Sequence, residues 1–215
     1  METNAFTVSL EKNPAIAINV IPGHFTTSNS HINYFLDLWE LKTKASLARD
    51  VARELAAPYL TSMPIDTIVC MGRTVVLGAY TAEELLREGT AVMNAGGNIH
   101  VVAPLSNING NLIFQDSAIG WIRSKNVLLL VASISSGETI KRARECITYY
   151  GGRLSGISAL FFSPKRFEFD YEVNALFTSE DIPGYKVFSA GNCEMCRAGQ
   201  KLDAIISSEG YTKIG

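Results

Sequence analysis

The sequence predicts an α/β fold with a mainly parallel central sheet flanked by helices. Short apolar runs alternate along the chain with stretches of helical spacing, the order typical of strand–helix–strand units. The run NVLLLV at 126–131 is apolar throughout, as expected of a parallel strand buried on both faces. Of the 215 residues, 47% are hydrophobic and 19% are charged. This composition excludes disorder or a coiled coil as the main state.

The first half of the chain begins with about 35 residues that are expected to be irregular. Pro14, Pro22 and Gly23 interrupt this segment, and a polar Thr-Thr-Ser-Asn-Ser stretch follows at 26–30. Apolar residues then recur every three or four positions, which predicts a helix. The elements predicted in this half are a helix over 38–59, a strand over 65–71, a helix over 75–86 and a strand over 99–103.

The second half of the chain repeats the strand–helix–strand order. A hairpin arm at 112–114 precedes a strand over 126–131, a helix over 139–150 that ends at Gly151-Gly152, and a strand over 154–162. Beyond residue 165 the pattern weakens to one short strand at 175–178. The expected whole is a single domain.

Charge and hydropathy exclude several classes of partner. The net charge is −2, from 19 basic and 21 acidic residues, which provides no strong field to hold nucleic acid or an anionic membrane and leaves only a local basic patch as an alternative. The longest apolar run, 127–132, is far shorter than a membrane span. The first residues show no pattern of a targeting segment, so a cytoplasmic protein is expected.

The loop between the strand at 126–131 and the next helix is a candidate anion site. Its Ser135-Ser136-Gly137-Glu138-Thr139 run stands where a helix begins, and the free amides of a helix start attract anions. Open α/β sheets also bind ligands beyond the carboxyl ends of their strands. The alternative interpretation is an ordinary strand-to-helix turn capped by serine.

Residues 127–139 resemble the phosphoribosyl-pyrophosphate (PRPP) motif of the type I phosphoribosyltransferases, in which a buried strand and two acids precede a Thr-Thr-Gly-x-Thr/Ser loop. The resemblance implies that the loop binds the 5′-phosphate of PRPP. Ala132 and Ser133 stand at the ribose-side positions where the family has its two acids. The implied phosphate loop comprises Ser133, Ser135, Ser136, Gly137, Glu138 and Thr139.

Two further segments extend the resemblance, which covers about residues 20–165. The segment 65–85 is similar to the family's first strand, pyrophosphate loop and helix, and it implies a pyrophosphate loop of Met71, Gly72, Arg73 and Thr74. The alternative there is a surface turn with a solvated arginine. The segment 23–38 resembles the hood that covers the base in orotate phosphoribosyltransferases, and its matching residues are Phe25, Ser28, Tyr34, Phe35 and Asp37.

The resemblance implies an enzyme that transfers phosphoribosyl from PRPP to a pyrimidine base, most simply orotate, with Mg²⁺ and in a homodimer. Its hood would span about residues 1–40, its α/β core about 60–165 and its C-terminal extension about 166–215. The stretch 104–116 stands where orotate enzymes have a mobile basic loop, but it has no lysine, arginine or histidine. The alternative is therefore a catalytically impaired regulatory protein that binds PRPP or a nucleotide.

The C-terminal Cys193-Glu194-Met195-Cys196 has the spacing by which two thiolates share one Zn²⁺, and Gly199 would ease the turn that follows. Two cysteines supply half of a tetrahedral site. The other ligands would come from a partner subunit or from the remaining candidates of this chain, His24, His31, His100, Cys70 and Cys146. A redox pair and two ordinary reduced thiols are the alternatives.

Overall fold

The computed structural model describes residues 4–87, 93–94, 96–107, 111–163, 172–207 and 210–214. The strands are β1 (Phe6–Leu10), β2 (Asn13–Thr26), β3 (Ser30–Asp37), β4 (Thr67–Met71), β5 (His100–Val102), β6 (Leu105–Ser106), β7 (Leu112–Ile113), β8 (Asn126–Ile134), β9 (Arg153–Phe162), β10 (Val173–Thr178), β11 (Val187–Ser189), β12 (Ala204–Ser207) and β13 (Gly210–Lys213). The helices are α1 (Trp39–Thr43), α2 (Ala45–Ala56), α3 (Val75–Leu85), α4 (Asp116–Ile119), α5 (Glu138–Tyr149) and α6 (Glu194–Arg197).

The central sheet has five parallel strands in the order β10-β9-β8-β4-β5. This confirms the predicted α/β class and the predicted strands near 65–71, 99–103, 126–131 and 154–162. In β8, Leu128 and Leu130 pack into one core cluster, whereas Leu129 and Val131 pack into the other. The strand is buried on both faces, which explains why its sequence is continuously apolar.

Helices cover both faces of this sheet. On one face α3 lies so close to β4 that a Cβ on Gly78 would overlap the sulfur of Cys70. On the other face α5 contributes Ile140, Ala143 and Ile147 to the second cluster. The single helix predicted over 38–59 is wrong, because Lys44 has an extended backbone (ψ 108°) and separates α1 from α2.

The prediction that the first 35 residues are irregular is also wrong. They form β1, β2 and β3 of an antiparallel arrangement, and the polar run at 27–29 is the turn between β2 and β3. Ile16, Ile18 and Val20 alternate into the core, the period-two pattern of a half-buried strand. Pro22 begins an irregularity in the β2–β3 register, so it bends the strand instead of ending it.

The C-terminal segment completes this second sheet, whose path is β11-β3-β2-β12-β13 with β1 paired to β2. β12 runs parallel to the end of β2, and Ala204 is paired with Phe25. Residues at opposite ends of the chain therefore share one sheet, which packs against α2 through the first core cluster. Among the described residues, no helix is long and apolar enough to cross a bilayer.

Candidate functional site

The carboxyl ends of β4 and β8 are adjacent, because Met71 is paired with Val131. From this point β4 leads through α3 to the edge strand β5, and β8 leads through α5 on the opposite face to β9, in the other direction along the sheet. Such a reversal is where open α/β sheets form their ligand crevice. A cavity of about 540 Å³ lies here, between the sheet end, the turn at 27–29 (the hood turn) and the C-terminal strands β12 and β13.

The predicted phosphate loop opens onto this cavity. Ser133, Ser135, Ser136, Gly137 and Thr139 all line it. The residue that caps α5 is Gly137, in a left-handed conformation (φ +76°), so the cap has no side chain with which to occupy the first amides of the helix. The serine cap of the alternative interpretation is therefore wrong, because Gly137 occupies the cap position.

Glu138 is the member of the predicted loop outside the cavity lining. It is the first residue of α5 and is half-buried. An acid in the first turn interacts favourably with the helix dipole. Its carboxylate therefore has a structural reason to be there without facing a bound anion.

The predicted pyrophosphate turn has a tightly specified backbone. Gly72 and Arg73 both have positive φ values, +68° and +62°. Thr74 is fully buried, and its Oγ1 lies 3.1 Å from the carbonyl oxygens of both Met71 and Leu130. Gly72 lines the cavity, and a Cβ there would come within 2.9 Å of the Cβ of Ala132. The turn is thus fixed against the ribose-side position of β8.

Two cations lie beside this turn, and both are close to one aromatic ring. Lys42 Nζ donates to the carbonyl oxygen of Gly72 at 3.3 Å and lies 5.3 Å from the centre of the Trp39 ring. The guanidinium of Arg73 lies 5.6 Å from the same ring. Lys42 and Trp39 line the cavity. Lys42 is only 6% exposed, which is unusual for a lysine, and burial near a ligand cavity is a common setting for a functional cation.

Four of the five predicted hood residues, all but Asp37, have different surroundings. Ser28 and Phe35 line the cavity. Phe25 is fully buried in the core. Tyr34 packs edge-to-face on Phe6, with ring centres 5.8 Å apart. Neighbouring residues of a strand point to opposite faces, so Tyr34 and Phe35 cannot both face one ligand.

The charged lining of the cavity is sparse. Among the described residues that line it, Asp37 is the one acid and Lys42 is the one base. One Asp37 carboxylate oxygen accepts a hydrogen bond from the Trp39 amide at 3.0 Å. The sequence pattern indicated Asp37 through the hood match, but it gave no reason to single out Lys42, Trp39 or the C-terminal residues Ile206, Ser207 and Gly210. Their place in the lining depends on helix and strand packing between distant segments.

A second cluster of polar side chains lies where the C-terminal cysteine pair contacts the hood segment. His24, His31, Cys193 and Cys196 each offer one ligand atom, and these atoms lie within 4.8 Å of one another. His24 is fully buried, and Cys193 is 2% exposed. This group could bind a metal ion. Gly199 has φ +75°, as expected for the turn after the second cysteine.

The other candidate ligands lie elsewhere. His100 stacks on Trp121, with ring centres 4.7 Å apart. Cys146 donates to the carbonyl oxygen of Leu112. Burial raises the pKa of the Cys70 thiol to about 12. Burial, and next the neighbouring His24, lower the pKa of His31.

No protein-family model and no curated protein matches the sequence. Solved structures do match. UMP synthase of Leishmania donovani is 20% identical with a TM-score of 0.55, over 76% of this chain and 34% of that chain. Adenine phosphoribosyltransferase of the same organism is 12% identical with a TM-score of 0.52, over 75% and 78%. That of Thermoanaerobacter pseudethanolicus is 15% identical with a TM-score of 0.50, over 82% and 96%.

This chain has the type I phosphoribosyltransferase fold. At these identities the likeness concerns the fold and leaves the accepted base open, since a UMP synthase and two adenine enzymes match alike. The chain spans about a third of the length of the UMP synthase. The cavity lies at the carboxyl end of β8, and the loop predicted to bind phosphate lines it.

Proposed function

We propose that the protein is a phosphoribosyltransferase that transfers the phosphoribosyl group of PRPP to a pyrimidine base, with orotate as the first candidate, and releases pyrophosphate. The observation that supports this most is the loop 133–139, which opens from the carboxyl end of β8 onto a cavity of about 540 Å³. A helix start that faces a cavity at the switch point of a parallel sheet is a site suited to a sugar phosphate.

The phosphate end of the cavity has neutral donors. The hydroxyls of Ser135, Ser136 and Thr139 line it beside Gly137, and the first amides of α5 point along the helix axis toward the loop. Such donors bind a phosphate without a lysine or arginine, because the helix dipole adds partial positive charge. We assign the 5′-phosphate of PRPP to this end.

The diphosphate and the base would lie toward the hood. Lys42 Nζ lies at the Gly72 carbonyl on the turn assigned to pyrophosphate, and an ammonium there would stabilise the charge of the leaving group. Phe35 and Trp39 offer aromatic surface for a base, and Thr27, Ser28 and Asn29 offer neutral hydrogen-bonding groups. A pyrimidine, with its carbonyl and ring N–H groups, suits such a lining.

Two metal ions belong to the proposal. Mg²⁺ takes oxygen ligands and usually binds with substrate phosphates and few carboxylates. Asp37 is the one carboxylate among the described lining residues, so the diphosphate of PRPP would supply most of the ligands of Mg²⁺. Mg²⁺ would neutralise charge on the leaving pyrophosphate. Zn²⁺ at Cys193 and Cys196 would be a structural ion, separate from the transfer.

A second candidate function is a regulatory protein that binds PRPP or a nucleotide without turnover. The sequence at 132–133 favours this function, because neither Ala132 nor Ser133 provides a carboxylate for the ribose hydroxyls. Ala132 packs against Gly72, and Ser133 is exposed. The lining has one acid and one base among the described residues. A nucleoside monophosphate has fewer phosphate charges than PRPP, so its binding would require fewer cations in the cavity.

Turnover and binding distinguish the two candidates. A mixture of protein, PRPP, Mg²⁺ and orotate should lose orotate absorbance if the protein is a transferase. PRPP should raise the melting temperature in both cases. If PRPP stabilises the protein and no pyrimidine base is consumed, the regulatory function replaces the enzymatic one.

The matched variants for this experiment are Gly137→Val and Gly151→Val. Both glycines have left-handed backbones, φ +76° and +79°, at opposite ends of α5, so both variants have similar backbone strain. Only Gly137 lines the cavity. Gly137→Val should abolish stabilisation by PRPP, and Gly151→Val should keep it. Equal responses of the two variants would contradict the phosphate-loop assignment.

The remaining expectations concern the state of the protein in the cell. We propose a cytoplasmic homodimer that takes small-molecule substrates and binds neither nucleic acid nor membrane. The net charge of −2 supports the absence of a polyanionic partner. Light scattering of the purified protein at several concentrations tests the dimer.

A further inference from the structure

The cluster of two histidines and two cysteines has the spacing of a metal site. His24 Nε2 lies 3.2 Å from His31 Nδ1, 3.4 Å from Cys193 Sγ and 3.6 Å from Cys196 Sγ. His31 Nδ1 lies 3.4 Å from Cys196 Sγ. Four ligand atoms from three separate segments thus converge on one small volume.

These distances match the edges of a zinc tetrahedron. With bonds of about 2.0 Å to nitrogen and about 2.3 Å to sulfur, tetrahedral Zn²⁺ separates two nitrogens by about 3.3 Å, and a nitrogen from a sulfur by about 3.5 Å. Four of the six edges of the tetrahedron are given by these separations, and each lies within about 0.2 Å of its expected value. Hydrogen bonds between thiols and imidazoles give similar separations, so the metal content of the protein distinguishes a zinc site from free thiols.

The orientation of His24 is fixed by a group outside the cluster. Its Nδ1 lies 2.9 Å from the carbonyl oxygen of Gln200. A carbonyl oxygen only accepts, so Nδ1 must carry the proton and Nε2 keeps its lone pair toward the two sulfurs. A backbone carbonyl on the far ring nitrogen is the usual support of a metal-binding histidine.

The cluster lies between two walls of the cavity. His24 and His31 flank the hood turn, whose residues Thr27, Ser28 and Asn29 line the cavity. Cys196 is followed by the segment that leads into β12, which pairs with β2 and brings Ser207 to the same cavity. The Asp203 carboxylate accepts a hydrogen bond from the His24 amide at 2.7 Å and so joins the two segments directly.

We propose that His24, His31, Cys193 and Cys196 bind one Zn²⁺ in a closed structural site, and that this ion holds the hood turn and the C-terminal strands in place as two walls of the cavity. Four protein ligands leave no open position, so the ion would take no part in chemistry. The site does not depend on which ligand the cavity binds.

The first test is metal content. Protein purified without chelator, with zinc in the growth medium, should contain close to one zinc per chain. X-ray absorption at the zinc edge should show two sulfur and two nitrogen neighbours, at about 2.3 Å and about 2.0 Å. Because this measurement uses the wild-type protein, it holds even if every ligand variant fails to fold.

Variants give the second test. Cys196→Ser changes an exposed residue and should lose nearly all of the zinc, whereas Cys146→Ser, which changes a buried cysteine outside the cluster, should keep it. Zinc-free wild-type protein, a Cys193–Cys196 disulfide in that protein, or a different set of neighbours at the zinc edge would each overturn the site. Equal zinc in the two variants would do so too.

The third test concerns the walls and needs no ligand for the cavity. After removal of the metal by a chelator, amide hydrogen exchange at 27–31 and 204–207 should become faster by about tenfold or more, while exchange in β8 stays unchanged. The same pattern should appear in Cys196→Ser. Unchanged exchange at both walls would overturn the positioning role even if zinc is present.

Discussion

The two sheets of the molecule differ in how they are built and in which parts of the cavity they provide. The parallel sheet is made of consecutive strand–helix units, is buried on both faces and presents the loops after β4 and β8 to the cavity. The second sheet joins residues 6–37 to residues 187–213 and contributes the walls. The first sheet therefore positions the loops that we assign to phosphate and pyrophosphate, and the second sheet positions the walls beside them.

The largest expected effect is on the free energy of unfolding, and it tests whether the second sheet is an integral part of the fold. Ile18 in β2 and Ile157 in β9 are both almost fully buried. Replacement of either by alanine should lower the free energy of unfolding by about 2–5 kcal/mol, the usual range for a buried isoleucine. Urea denaturation measures both. If Ile18→Ala has less than half the effect of Ile157→Ala, the hood strands are a loosely attached flap.

The next prediction concerns Lys42 of α1, whose ammonium lies at the turn assigned to pyrophosphate. Lys42→Met keeps the apolar stem and removes the charge, so PRPP should bind roughly 10- to 100-fold more weakly, as expected for the loss of a charged hydrogen bond to phosphate. Calorimetric titration measures the affinity. The control is Lys44→Met, which removes an exposed lysine paired with Glu40 at 3.6 Å. Equal losses in both variants would show that only overall charge matters.

A third prediction tests close packing inside the parallel sheet, away from the site. A Cβ on Gly156 would lie 2.9 Å from Cζ of Tyr59, whose hydroxyl donates to the carbonyl oxygen of Ile157 at 3.0 Å. Gly156→Ala should therefore destabilise the protein by about 1–3 kcal/mol in thermal unfolding. At Gly120 a Cβ meets nothing within 4 Å, so Gly120→Ala should be neutral or slightly stabilising. A neutral Gly156→Ala would mean that β9 can shift away from Tyr59.

The smallest expected effect is spectroscopic. Trp39 lines the cavity and is 41% exposed, whereas Trp121 stacks on His100 beside the start of β5. A pyrimidine nucleoside monophosphate should change tryptophan emission in the wild type and in Trp121→Phe, and it should leave Trp39→Phe unchanged. A change that survives in Trp39→Phe would place the nucleotide outside the cavity between the two sheets.

Prediction from sequence succeeded where structure is local. The strands of the parallel sheet are continuous apolar runs, and the order of strand, loop and helix at 126–149 is set by neighbouring residues.

Prediction failed where partners are distant in the chain. β2 has a period-two pattern interrupted by Pro22 and Gly23, and its pairing with β12 depends on residues about 180 positions away. Lys42 gave no signal, because it is buried beside the Gly72 turn, which lies 30 residues further along the chain. The two histidines were candidates among several ligands, and only the register of β2 with β3 brings them together.

The central claim is that the backbone and hydroxyl groups of 133–139 bind a sugar phosphate. A crystal structure of the protein grown with PRPP and Mg²⁺, or with a pyrimidine nucleoside monophosphate, tests it most directly. The 5′-phosphate should lie within hydrogen-bonding distance of the amides at the start of α5 and of the Ser136 or Thr139 hydroxyl. A phosphate bound elsewhere while this loop stays empty would contradict both candidate functions.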